Sequence, residues 1–233
     1  MNALTLTLKL NLQVTQASKI DSNKINCSRL TPNSLANLSI TEIENFSLFN
    51  TKNSLKIADY FDISGTDTNH IIFKNSNAQL EYIGHKMSSG QITVEGDSGN
   101  FVGCKMQGGT IICQGNTGDR VGDQMRRGLI LIDGNAGSYC ASRMVAGTIG
   151  VYGSVADYVG FGMKRGTILL TKTPNLHPTI QNCGTHTLPF LALLFQQFAA
   201  FSTRFNGLNN QRVQRYAGDL STNGNGEILV LLS

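Results

Sequence analysis

Four histidines (His70, His85, His177, His186) and five cysteines (Cys27, Cys104, Cys113, Cys140, Cys183) are the side chains that could hold a metal or attack a substrate. Their spacing argues against both. Neither H-E-x-x-H nor H-x-x-E-H occurs, and no two cysteines stand as C-x-x-C. Cys183-Gly184-Thr185-His186 has a ligand-like gap but lacks the second pair that a tetrahedral site needs. A G-x-S-x-G nucleophile elbow is absent, and no G-x-x-x-x-G-K-[ST] loop offers a phosphate cradle. No acid–base or covalent apparatus is expected.

One polar pattern does recur. Lys86, Lys105, Arg126, Arg127, Arg143, Lys164 and Arg165 each lie within three residues of a methionine. These are seven of the 19 basic residues, whereas Asp97, Asp119, Asp133 and Asp157 fall elsewhere in the unit. Two readings stand: a solvated face without a partner, or a strip holding an anionic chain or an acidic partner surface.

The elements that place this strip follow from a period of nineteen residues. Met87, Met106, Met125, Met144 and Met163 stand nineteen apart, and each is followed after three residues by Gly90, Gly109, Gly128, Gly147 and Gly166. Ile92, Ile111, Ile130, Ile149 and Ile168 form a further column, and Val94, Cys113, Ile132, Val151 and Leu170 another two residues on. Gly96, Gly115, Gly134 and Gly153 come next, with Lys172 breaking the column in the last copy. Ile83, Val102, Val121, Cys140 and Val159 precede Gly84, Gly103, Gly122, Ala141 and Gly160. Period-two alternation within each copy is strand spacing, and helical repeats need longer units. The fold class expected is mainly β: a right-handed parallel β-helix of single-stranded, nineteen-residue coils, because parallel crossovers are right-handed. Rungs about 4.8 Å apart give a rod roughly 20–25 Å long. Isoleucines and methionines then face the axis, methionine filling irregular space near a corner.

The flanks differ. Leu4, Leu6, Leu8, Leu10 and Leu12 alternate with polar residues as in a half-buried strand, and Leu35, Leu38, Ile40 and Ile43 fit a short helix or turn. Residues 1–58 read as a small cap, 59–173 as the β-helix with five regular repeats at 82–173, and 174–233 as an extension. Phe61-Asp62-Ile63-Ser64 and Ile71-Ile72-Phe73 look like degenerate earlier strands. Phe190 to Phe201 is apolar around nearly its whole circumference, as in a buried helix. Val213–Tyr216 and Ile228–Leu232 flank Asn223-Gly224-Asn225-Gly226, a hairpin signal. Composition adds exclusions. A formal charge of +4 and 15% charged residues are too little for non-specific nucleic-acid binding. The Leu188–Phe201 stretch is shorter than the roughly 20 residues of a membrane span. An N-terminus without a continuous apolar run and an odd number of cysteines fit a cytoplasmic protein with reduced thiols.

The unit G-x-x-M-x-x-G-x-I-x-V-x-G-[DN]-x-G, from about Tyr82 to Leu170, resembles the GXGXG β-helix. That repeat is shared by the C subunit of formylmethanofuran dehydrogenase and the C-terminal domain of the glutamate synthase large subunit. Cys183-Gly184-Thr185-His186-Thr187-Leu188-Pro189-Phe190 looks like the C subunit of the formyltransferase/hydrolase complex of methylotrophs. The resemblance implies a non-catalytic structural subunit in tetrahydromethanopterin- and methylofuran-linked oxidation of one-carbon units to formate. Its implied partners are the amidohydrolase-like A subunit, the B subunit and the formyltransferase D subunit of that complex. No catalytic, metal or cofactor residue is carried over, although the polyglutamate tail of a methylofuran-type cofactor is a possible ligand for the basic strip. Two alternatives remain: the C subunit of a molybdenum or tungsten formylmethanofuran dehydrogenase, and a stand-alone binding module for an anionic polymer.

Overall fold

Residues nineteen apart lie opposite one another on neighbouring strands. In the computed structural model, which describes residues 2–9, 24–48, 55–222 and 224–232, the order begins with β1 (Ala3–Leu8), β2 (Ile25–Asn26), α1 (Pro32–Leu35), α2 (Ile40–Glu44) and α3 (Ile57–Tyr60). It continues through β3 (Phe61–Ser64), β4 (Asp67–Ser76), β5 (Leu80–Glu81), β6 (Gln91–Gly96), β7 (Thr110–Cys113), β8 (Leu129–Ile132), β9 (Thr148–Val151) and β10 (Arg165–Leu170). The last elements are β11 (Gln181–Thr187), α4 (Phe190–Phe198), β12 (Arg212–Gly218) and β13 (Asn225–Leu231). Eleven strands form one mostly parallel sheet in the order β11-β12-β13-β10-β9-β8-β7-β6-β4-β1-β3, an arrangement consistent with a parallel β-helix.

Several backbone columns bind each repeat to the next, three of them as follows. The strand column pairs Ile92 with Ile111, Ile130, Ile149 and Ile168 in turn. A second consists of parallel bridges linking Ser98, Thr117, Ala136 and Val155. In the third, the N–H groups of Gly103, Gly122, Ala141 and Gly160 donate to the carbonyls of Ile83, Val102, Val121 and Cys140 at 2.7–2.8 Å. Side chains add a further set of contacts: Asp97 Oδ1 accepts from the Asn116 N–H, Asn116 Oδ1 from that of Asn135, and Asn135 Oδ1 from that of Ser154, at 2.7–2.9 Å. The glycines permit this close stacking. Gly109 sits at φ +84°, and a Cβ there would lie 2.7 Å from the Gly90 carbonyl oxygen, closer than real Cβ atoms come.

The five repeat methionines are fully buried, as are the five isoleucines of the ladder. That ladder runs past the regular repeats at both ends. Leu4 pairs with Ile71 and Ile71 with Ile92, while Ile168 pairs in parallel with Ile228. Thus β1 is a rung of the same sheet, and β3 lies antiparallel against it at the sheet edge rather than as an earlier coil. At the other end β13 supplies a parallel rung, with β12 and β11 adding antiparallel strands beyond it. Leu10, Leu12 and Asn223 lie outside the described residues.

α4 is not buried all round, contrary to its sequence. Leu191, Phe195 and Phe198 pack with Phe205 on the outward-facing Leu131, Leu169 and Leu229, but Phe190 is 43% and Leu193 71% exposed. A sheet on one side of a helix can cover only one stripe of it. Among the described residues no helix is long and apolar enough to cross a membrane.

Candidate docking surface

Each repeat turns a tight corner just before its methionine. The N–H groups of Met87, Met106, Met125, Met144 and Met163 donate to the carbonyls three residues earlier, at 3.0–3.2 Å. The corner is bracketed by left-handed backbone on both sides. Tyr82, Phe101, Arg120, Tyr139 and Tyr158 have φ of +59° to +65°, and Lys86, Lys105, Gln124 and Arg143 have φ of +53° to +57°. Non-glycine residues adopt this conformation at a cost of roughly 1–2 kcal/mol each, so the corner is strained at every rung.

Two columns of side chains lie at this corner. In the first, Tyr82 and Phe101 stack with centroids 4.6 Å apart and planes within 4°, and Tyr139 and Tyr158 stack at 4.8 Å and 11°. Between these pairs Arg120 lies over Tyr139, its Cζ 4.7 Å from the ring centroid. The ladder opens at its far end into a cluster where Phe161 meets Tyr139, Tyr158 and His177 edge-on and the His177 ring lies tilted against Tyr158. The sequence pattern contained this column in the same nineteen-residue phase. Its members differ in type, so it did not stand out beside the methionines.

All seven residues of the basic strip are exposed. Lys86, Lys105 and Arg143 share the column just before the methionines; Arg126 and Lys164 lie in the one just after them, and Arg127 and Arg165 one residue further on. Arg143 differs from the others because it closes on Asp123. Its Nη2 lies 2.8 Å from Asp123 Oδ2, and its Nε also donates to Oδ1. Asp123 is only 2% exposed and also accepts from Ser142 Oγ at 2.6 Å and Gln124 Nε2 at 2.9 Å. Burial alone would raise its pKa, but these hydrogen bonds and the Arg143 charge hold the carboxyl below its ordinary range. Among the described residues, Lys86, Lys105, Arg126, Arg127, Lys164 and Arg165 have no ion-pair partner.

The reactive side chains nearby are subdued by their surroundings. Burial, aided by Asp123, pushes the Cys104 thiol up to about 11, and burial takes Cys140 to about 12. Cys113 lies at about 11, again through burial. Such thiols are poor nucleophiles near neutral pH. Burial and then Lys86 and Lys105 lower the pKa of His85; the ring meets Tyr82 edge-on at 5.8 Å. Cys183 and His186 sit on β11, where His186 Nε2 lies 2.9 Å from the Cys183 carbonyl oxygen. Among the described residues no group of three His, Cys, Asp or Glu side chains is placed to hold a metal ion.

No family model matches the chain. Over 48 residues it is 48% identical to the C subunit of tungsten-containing formylmethanofuran dehydrogenase 2 of Methanocaldococcus jannaschii, covering 19% of this chain and 18% of that protein. Over 76 residues it is 31% identical to the C subunit of the formyltransferase/hydrolase complex of Methylorubrum extorquens, covering 33% and 29%. The matched segments therefore span less than a third of these two relatives. A chain in the crystal structure of the formyltransferase/hydrolase complex from Methylorubrum extorquens, solved with methylofuran, superposes with a TM-score of 0.66 at 26% identity. That superposition covers 98% of this chain and 100% of the other. The chain is a homologue of these C subunits. The likeness extends beyond the repeats, because both flanks fall within the superposed length.

Proposed function

We propose that this chain is the non-catalytic structural subunit, in the C position, of a formyltransferase/hydrolase complex acting in tetrahydromethanopterin- and methylofuran-linked oxidation of one-carbon units to formate. The observation that carries the reading is the end-to-end superposition on a chain of such a complex. A rod tied together along several backbone columns is a stiff body on which other subunits can be held at fixed distances. In this reading the partners are the amidohydrolase-like A subunit, the B subunit and the formyltransferase D subunit, and the assembly is cytoplasmic. The coils wind right-handed with one main strand per nineteen residues. Residues 59–173 act as the rod, with β1 and β13 as its end rungs, and the other described parts of 1–58 and 174–233 act as cap and extension. The basic strip is the surface offered to anionic partners, including the polyglutamate tail of a methylofuran-type cofactor.

A second reading, the C subunit of a tungsten or molybdenum formylmethanofuran dehydrogenase, draws on the 48% identity to the Methanocaldococcus jannaschii protein. Affinity purification of the tagged chain from its own cells, followed by mass spectrometry, separates the two. Recovery of an amidohydrolase and a formyltransferase in fixed ratio is the expected result. Recovery of a molybdopterin protein with ferredoxins would transfer the chain to the second complex, and recovery of a lone monomer would refute both.

A further inference from the structure

We infer that the corner bearing the aromatic ladder and the adjacent lysine column is a protein-docking face, and that its occupant is an acidic surface of another subunit. The inference rests on the structural-subunit reading above and specifies where on the rod contact is made.

Three observations converge on this face. The first is charge: six exposed cations around the corner lack ion-pair partners among the described residues. The acidic side chains nearest in the unit are otherwise engaged. Asp123 is buried against Arg143, and Asp119 Oδ1 accepts from the Ser138 N–H at 2.8 Å. The second is apolar exposure. Tyr158 and Phe161 are 43% and 41% exposed at the open end of a ladder reaching back to Tyr82. The third is strain. Glycine would relieve the left-handed backbone at each rung, yet four of the five ladder positions hold aromatic rings and the fifth holds Arg120. Mutual stacking returns only about 0.5–1.5 kcal/mol per pair, on the scale of the strain itself, so coverage by a partner adds a gain that stacking alone does not.

The same geometry selects the class of partner. Nucleic acid binds aromatic platforms by stacking bases on free ring faces. Here the faces of Tyr82 and Phe101, and of Tyr139 and Tyr158, are turned to each other. The ring edges and tyrosine hydroxyls on the outer side of these pairs suit apolar and hydrogen-bonding side chains of a protein. Lysines on successive rungs about 4.8 Å apart match carboxylates presented along the rod axis.

The test uses the chain co-expressed with its proposed amidohydrolase-like, B and formyltransferase partners, with photoreactive benzoylphenylalanine in place of Phe101 or Tyr158. Irradiation of the purified complex is expected to join both positions to another subunit, in peptides rich in Asp and Glu. The double variant Lys86→Glu/Lys105→Glu should weaken association about tenfold and flatten its salt dependence, with Lys86→Gln/Lys105→Gln intermediate and circular dichroism unchanged. An assembled complex in which neither position crosslinks would overturn this inference and leave the structural-subunit reading intact. Crosslinks to a second copy of this chain, or tight binding of a twenty-nucleotide single-stranded RNA that blocks labelling, would also overturn it. Failure of the chain to assemble with these partners would overturn both.

Discussion

Met125 shows how a single position is tied to the axis of the rod. Its side chain is fully buried, and its methyl group lies 2.7 Å from where a Cβ on Gly147 would stand. Leucine keeps the volume and the apolar character, so Met125→Leu should cost under about 1.5 kcal/mol. Lysine would place an ammonium group among isoleucines with no partner, and desolvation then costs several kcal/mol, on the order of half the stability of a domain. Met125→Lys is therefore expected to be insoluble or unfolded, whereas Met125→Leu should melt within a few degrees of the parent. Equal thermal unfolding of the two variants would show that the methionine column faces outward.

At the scale of elements, the seating of the C-terminal extension depends on one missing side chain. Gly150 faces outward on β9, and a Cβ there would come within 2.9 Å of both Leu131 Cδ2 and Phe205 Cζ. Phe205 in turn packs edge-on against Phe198 of α4 at 5.6 Å. Arg204 reinforces the join: its N–H donates to the buried Asp133 at 2.8 Å, and its guanidinium lies 4.0 Å over the Tyr152 ring. Gly150→Val should displace Phe205 and loosen α4, costing about 1–3 kcal/mol. Hydrogen exchange should then accelerate in residues 190–205 while β6 and β7 stay protected. Unchanged exchange in 190–205 would mean that α4 is held by other contacts. The sequence made the rod legible because the ladder residues keep one type at one spacing, Ile92 to Ile168. It did not show that β1 and β13 are rungs of the same stack. Leu4 meets Ile71 after 67 residues and Ile168 meets Ile228 after 60, far from the nineteen-residue period. Asp123 escaped notice for a related reason, since its phase holds His85, Cys104, Ser142 and Phe161 and no shared chemistry. For α4, the near absence of polar residues hid which stripe would meet the sheet.

For the molecule as a whole, the far end of the stack is fastened by a buried carboxylate, and this makes stability depend on pH in a defined direction. Asp219 follows β12 and is fully buried. Its Oδ2 accepts from the Gly162 N–H and its Oδ1 from the Ser221 N–H, both at 2.8 Å. The fifth repeat is thereby tied to the C-terminal strands. Burial raises the pKa of this carboxyl, but hydrogen bonds from the Thr179 side chain, Gly162 and Ser221 outweigh it and bring the value to about 2, from an ordinary 3.8. Between those values the unfolded chain binds more protons than the folded one, so stability is lost as pH falls. The contribution, about 2 kcal/mol, is fully present above the unfolded value and gone below the folded one. Asp123, also held low, acts in the same direction. Asp219→Asn should therefore lower stability at pH 7 by about 2 kcal/mol in urea unfolding, and the gap between variant and parent should close as pH is taken from about 4 to about 2. A gap constant over that interval would mean that the fastening of the rod's end does not depend on the ionised carboxylate.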